Sequence, residues 1–219
     1  MKIVPRVLKL EVNNAGRDFV VGDIHGELPK LIKQLKTLEF NTSTDRLICV
    51  GDLVDRGPES AKTLELLDKP WFYSVLGNHE VLMVSSMKYN NSSDRMIWLS
   101  NGGEWIASTS PAQWPAWFDT IEQLPLAIEV ENREGTRYGI VHADFPGDHW
   151  DELANFSEED AARCVWSRGS FNSRSKHVIE GIDVLIHGHN VVEEELHLGN
   201  RWYIEPGAFK GNDFIIKQL

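Results

Sequence analysis

Cysteine is scarce in this chain: two residues of 219, Cys49 and Cys164. That count excludes a disulfide framework and suits a reducing compartment. Cys49 falls inside an apolar run and reads as a small buried hydrophobe. Positive charge is also short, with 22 Lys and Arg against 33 Asp and Glu and a net charge of -11. A phosphate backbone would be repelled on average, so nucleic acid is not an expected partner, although a local basic pocket for one phosphate stays open. No apolar stretch approaches the length of a membrane span, so no membrane partner is expected. Met1 to Glu11 alternates apolar and basic residues without the continuous apolar core of a signal peptide. The expectation is a cytoplasmic protein. Repeats, linkers and low-complexity segments are missing too, and with 42% apolar and 25% charged residues the chain is expected to form one domain over 1–219.

What the chain does have is a series of short polar motifs: Gly22-Asp23-Ile24-His25-Gly26, Gly51-Asp52-Leu53-Val54-Asp55-Arg56-Gly57, Gly77-Asn78-His79-Glu80, Val141-His142-Ala143-Asp144 and Gly188-His189-Asn190. The first three each follow an apolar run: Phe19-Val20-Val21, Leu47-Ile48-Cys49-Val50 and Phe72-Tyr73-Ser74-Val75-Leu76. Asp23 to Asp52 is 29 positions and Asp52 to Asn78 is 26, intervals that fit one βαβ crossover each. Helical spacing of Leu28, Leu31, Ile32, Leu35 and Leu38, with Pro29 in the first turn, supports the first crossover, and Pro58 is expected to open the second helix. Parallel neighbours end at one sheet edge, where α/β sheets bind ligands, so the three motifs should converge.

Residues 79 to about 123 look helical, broken at Asn101-Gly102-Gly103, and hold four of the eight tryptophans: Trp98, Trp105, Trp114 and Trp117. They form either an aromatic wall beside the site or, the reading preferred here, the core of a small helical insertion. Short strands are expected at 126–130, 138–141, 184–186, 202–204 and 214–216, with a hairpin turn at Gly199-Asn200 and a helix from Ser157 to Cys164. Glu193-Glu194-Glu195 reads as a solvated strand edge. The sum is an α/β chain of two sheets with helices outside.

Asp23 and His25 sit two apart in a turn and can address one ion, while Asp52 arrives from the next strand end and a carboxylate can bridge two cations. Asn78 offers an amide oxygen; His142 and His189 offer imidazoles. Taken singly, Asp23 and Asp52 could be helix caps, Asn78 a turn residue and His142 a core histidine. Taken together, six N and O donors suffice for two adjacent ions if one is shared. Imidazole with carboxylate and no thiolate favours Mn, Fe or Zn over Mg or Ca, with Mn placed first.

The set GDIHG, GDLVDRG, GNHE, VHAD and GHN resembles the phosphoprotein phosphatases of the calcineurin-like metallophosphoesterases, within them the bacterial and bacteriophage-lambda type of serine/threonine phosphatase. The likeness spans residues 17 to 219 and includes Val165-Trp166-Ser167-Arg168 and Gly207-Ala208. It implies a two-sheet β-sandwich flanked by helices. It implies that Asp23, His25 and Asp52 hold a first divalent metal ion and that Asp52, Asn78, His142 and His189 hold a second. It further implies direct attack by a hydroxide bridging the ions, His79 as the leaving-group acid oriented by Asp55, and Arg56 and Arg168, with Asn78, contacting the phosphate. The substrates would be proteins bearing phosphoserine or phosphothreonine, with phosphotyrosine and the oligomeric state left open.

Three positions depart from the family pattern. Asn190 stands where Thr is common, Glu205-Pro206 where Asp-Thr is usual, and Leu76 where Arg often precedes the Gly of GNHE. All three are expected near the substrate mouth. His187 is expected to be core or to support the site, and His149, His177 and His197 to be structural. A symmetrical dinucleoside-tetraphosphate hydrolase shares the scaffold but usually carries Ala at the place of Asp55 and Asp at the place of Glu80. A non-catalytic binder of phosphorylated proteins would show a lost ligand or a lost His79, and neither is lost.

Overall fold

The computed structural model describes residues 1–219. The strands are β1 (Val7–Leu10), β2 (Asp18–Val21), β3 (Arg46–Cys49), β4 (Phe72–Ser74), β5 (Ala127–Glu131), β6 (Arg137–Val141), β7 (Val184–Val191), β8 (Leu196–Leu198), β9 (Arg201–Glu205) and β10 (Ile216–Gln218). The helices are α1 (Leu28–Thr37), α2 (Ser60–Leu64), α3 (Asn78–Met87), α4 (Ser92–Ser100), α5 (Trp114–Glu122), α6 (Glu158–Trp166) and α7 (Gly169–Asn172).

Four strands form one sheet in the order β10-β2-β3-β4, and six form the other in the order β1-β5-β6-β7-β9-β8. The pairs β2–β3 and β3–β4 are parallel, as the motif spacing requires. In the larger sheet β6–β7 and β7–β9 are parallel, while β5–β6 and β8–β9 are antiparallel. The alternation of β2 and β3 explains the layering. Val20 and Ile48 join Val50, Val75, Ile128, Ile140, Ile186 and Ile204 in the apolar layer between the sheets. Phe19, Val21, Leu47 and Cys49 point the other way, into the core shared with Leu28, Leu31 and Leu35 of α1. Both faces of these strands are therefore buried, which is why they read as unbroken apolar runs. The result is the expected α/β sandwich with helices outside.

Some expectations need correction. β1 was not anticipated; its four residues pair in parallel with β5 at a sheet edge. The last strand lies at Ile216–Gln218, two residues later than expected, because the backbone at Phe214 is drawn to the side chain of Gln34 on α1. Pro58 lies ahead of the second helix, which starts at Ser60. Glu193 to Glu195 is a bend between β7 and β8, not a strand edge, and Glu195 pairs with Lys217 at 2.7 Å. Ser157 caps α6 by accepting from the Asp160 N–H. No helix is long and apolar enough to cross a membrane.

Candidate active site

Four parallel strand ends, two from each sheet, point at one place. Asp23 and His25 follow β2, Asp52 follows β3, His142 follows β6, and His189 lies within β7. Asn78 opens α3 just past β4. The β7–β9 register shifts between His187 and Val191, and this bulge turns His189 inward. The backbone is unusual here. Eight non-glycine residues have positive φ, and five are predicted site residues: His25, Asp52, Asp55, Arg56 and His189.

Asp52 is the hub. Its carboxylate lies 3.6 Å from His25 Nε2, 3.4 Å from His142 Nε2 and 4.0 Å from His79 Nε2. Two groups of candidate donors share it, His25–Asp52–His79 and Asp52–His142–His189, each with all ligand atoms within 4.8 Å of one another. Asn78 Oδ1 lies 3.0 Å from His142 Nε2 and 2.9 Å from His189 Nδ1. Asp23 belongs to neither group; its carboxylate accepts the His189 N–H at 3.0 Å and lies 4.0 Å from His142 Nδ1.

The histidines divide by charge. Burial holds His25 well below the usual imidazole range, lowers His142, and pushes His189 down to about 3. Neutral imidazole is the ligating form. His25 Nδ1 and His142 Nδ1 donate to the carbonyls of Val54 and Val50, each at 2.8 Å, which leaves Nε2 as a lone pair. His79 is the exception. Burial would lower it too, but Asp52 and Asp55 outweigh burial and raise it. Its Nδ1 donates to Asp55 at 2.6 Å. With Nδ1 tied to Asp55 and its pKa raised, His79 is biased toward the acid form, which makes Asp23 the better donor for the first ion.

The residues fit divalent cations on two counts. With its proton committed to Val50, His142 Nε2 faces the oxygens of Asn78 and Asp52 lone pair to lone pair, and His189 Nε2 is buried without a partner. Negative charge is also crowded. Burial pushes Asp23 well above the usual carboxylate range, with Glu205 and Asp52 adding to it. Asp52 lies in the same buried cluster, with the rings of His25, His79 and His142 set around its carboxylate. Cations between these groups would resolve both problems.

Two arginines stand exposed at the mouth. Arg56 places Nη1 2.7 Å from His25 Nε2, and its guanidinium stacks 4.3 Å from the centre of the Phe209 ring. Arg168 donates through Nη1 to the His189 carbonyl at 3.0 Å and to Asn190 Oδ1 at 2.8 Å. Burial lowers Arg168, Asp23 and Asp52 oppose that, and Arg56 adds like-charge repulsion. An anion between the two guanidiniums would relieve it.

The profile described as calcineurin-like phosphoesterase matches residues 19–193. The chain belongs to that family. A serine/threonine-protein phosphatase 2 of Salmonella typhimurium is 38% identical over 198 residues, which is 87% of this chain and 87% of that protein. A symmetrical bis(5'-nucleosyl)-tetraphosphatase of Methylococcus capsulatus is 31% identical over 136 residues, 58% of this chain and 43% of that one. Among solved structures, one described provisionally as a diadenosine tetraphosphatase superimposes with a TM-score of 0.69 at 22% identity, covering 97% of both chains. At that identity the likeness shows the fold alone.

Several residues that shape this phosphoesterase site were given no structural role by the sequence reading. Glu80 is fully buried and accepts the N–H groups of Asp52, Leu53, Val54 and Gly77, so it moulds the turn that presents Asp52. Asp144 accepts from Ser167 Oγ and the Ser170 N–H and so anchors the segment carrying Arg168. Phe209 was missed for lack of any motif signal. The three departures are not all at the mouth. Leu76 is a buried core residue whose N–H donates to Pro125. Glu205 is buried behind Asp23 and accepts its N–H at 2.9 Å and that of Gly207 at 2.7 Å. Only Asn190 bears on the mouth, through Arg168. His187 is core, with Nδ1 donating to Val141 and its ring stacked on Tyr203.

Proposed function

We propose that residues 1–219 form one catalytic domain that dephosphorylates phosphoserine and phosphothreonine in proteins, in the cytoplasm, with two divalent ions of which Mn is the first choice. Asp23, His25 and Asp52 would hold one ion, and Asp52, Asn78, His142 and His189 the other. Bound there, the ions would supply a Lewis-acid clamp on the phosphoryl oxygens and a water of lowered pKa. The chain's own groups do the rest. Arg56 and Arg168 bind and orient the phosphate, with Asn78 beside them. His79, protonated and held through Nδ1 by Asp55, passes its Nε2 proton to the departing alkoxide.

The observation that carries this reading is geometric: two groups of donors share Asp52, and His79 stands beside them with its Nδ1 held by Asp55 at 2.6 Å. A phosphoserine alkoxide is a poor leaving group and needs that acid. The long match to a protein phosphatase, against the partial match to a tetraphosphatase, supports the same choice of substrate. Two buried free cysteines suit the cytoplasm, and the net charge of -11 argues against nucleic acid.

The test is metal-stripped protein titrated with Mn and assayed on p-nitrophenyl phosphate, a phosphopeptide panel and diadenosine tetraphosphate. Chelation should abolish turnover, Mn should restore it, and phosphopeptides should be preferred to the dinucleotide. Full activity in protein shown metal-free by elemental analysis would overturn the metal assignment. A preference for diadenosine tetraphosphate would overturn the substrate.

A further inference from the structure

Asp55 is reached from outside its own motif. Its carboxylate is fully buried and accepts from three side chains. His79 Nδ1 donates to Oδ2 at 2.6 Å, Trp98 Nε1 to Oδ2 at 2.9 Å and Oδ1 at 3.1 Å, and Trp105 Nε1 to Oδ1 at 2.7 Å. The two indoles come from the helical insertion, Trp98 from α4 and Trp105 from the turn that follows. Asn101-Gly102-Gly103 lets them approach. Gly102 has φ +101 and a Cβ there would lie 2.5 Å from the Arg56 nitrogen; a Cβ on Gly103 would lie 2.5 Å from the Trp98 ring. The insertion is therefore seated on the backbone of Arg56 and on the Asp55 carboxylate.

A single contact to His79 leaves the carboxylate free to rotate, since the terminal torsion of Asp is broad. Two further donors, converging on both oxygens, fix its plane. A buried indole N–H does need some acceptor, but two indoles meeting at one carboxylate exceed that need. Asp55 also keeps a left-handed backbone, φ 73°, which persists only where the surroundings over-determine it.

We propose that Trp98 and Trp105 are positioning residues for the leaving-group acid: they lock the Asp55 carboxylate in the orientation that holds His79 on the departing oxygen. The proposal rests on His79 acting as that acid. The helical insertion then completes the catalytic apparatus and does more than fill a core.

The experiment replaces Trp105→Phe, and both Trp98 and Trp105 in turn by 3-benzothienylalanine, which keeps the bicyclic shape and removes only the N–H donor. The readout is the ratio of kcat on a phosphoserine peptide to kcat on p-nitrophenyl phosphate in Mn-loaded protein, a ratio insensitive to partial unfolding. His79→Asn is measured alongside. The ratio should fall about 10- to 100-fold in the tryptophan variants, the order of loss for a misplaced catalytic group, with metal content unchanged. A parental ratio in the benzothienyl variants, alongside an altered ratio in His79→Asn, would overturn the proposal and leave the acid standing. An unaltered ratio in His79→Asn would overturn both.

Discussion

The two sides of the site are built differently. On the side proposed to hold metal, Asp23, His25, Asp52, His142 and His189 sit at, in or just past strand ends, and backbone carbonyls orient the imidazoles of His25 and His142. On the side proposed to face the leaving group, His79 is held by Asp55, and Asp55 by side chains 43 and 50 residues away in sequence. One side is fixed by the scaffold of two sheets. The other is fixed by an insertion packed onto a turn. Metal binding and acid catalysis should therefore be separable by mutation.

The largest effect is expected on the metal side. Asp52→Asn removes the carboxylate common to both donor groups, so metal stoichiometry and kcat should fall together. The loss should exceed the ~10- to 100-fold typical of removing an outer partner of a metal ligand. Normal binding of two ions with normal turnover would show that Asp52 is not the bridge.

On the other side, His79→Asn should leave metal content intact while slowing phosphoserine hydrolysis by about 10²- to 10⁴-fold, the usual contribution of a general acid. Hydrolysis of p-nitrophenyl phosphate, whose leaving group needs no proton, should suffer far less. Asp55→Asn should show the same selectivity at smaller amplitude. If either variant also lost its metal in elemental analysis, the two sides would be one unit and the contrast would fail.

The smallest effect belongs to the two arginines at the mouth. Arg56→Ala and Arg168→Ala should each weaken inhibition by inorganic phosphate by about 1.5–3 kcal/mol, the worth of a charge-assisted contact, without altering metal content. Phosphate inhibition unchanged in both variants would exclude the clamp.

The same contrast explains what the chain discloses from sequence. Asp23, His25, Asp52, Asn78, His142 and His189 are legible because each lies in a short polar motif after an apolar run. A strand end needs only local residues to define it. Trp98 and Trp105 showed only as aromatic residues of a helical insertion. Trp98 is wholly buried and its N–H is spent on Asp55. Nothing local announces that contact. Leu76 and Glu205 misled for the complementary reason: both flank motifs in sequence, yet their side chains turn into the protein. β1 escaped notice because four residues at a sheet edge, close behind Pro5, carry too short a pattern.

Five left-handed residues cluster where the chemistry is proposed. Each such conformation costs about 1–3 kcal/mol, so together they offset a share of the roughly 5–15 kcal/mol that holds an ordinary domain folded. Glycine would relax every one of these positions and delete a working side chain each time. Durability and function therefore pull in opposite directions at the same five residues. Drift toward a hardier protein, left unchecked by selection for turnover, would consume the enzyme from its active site outward.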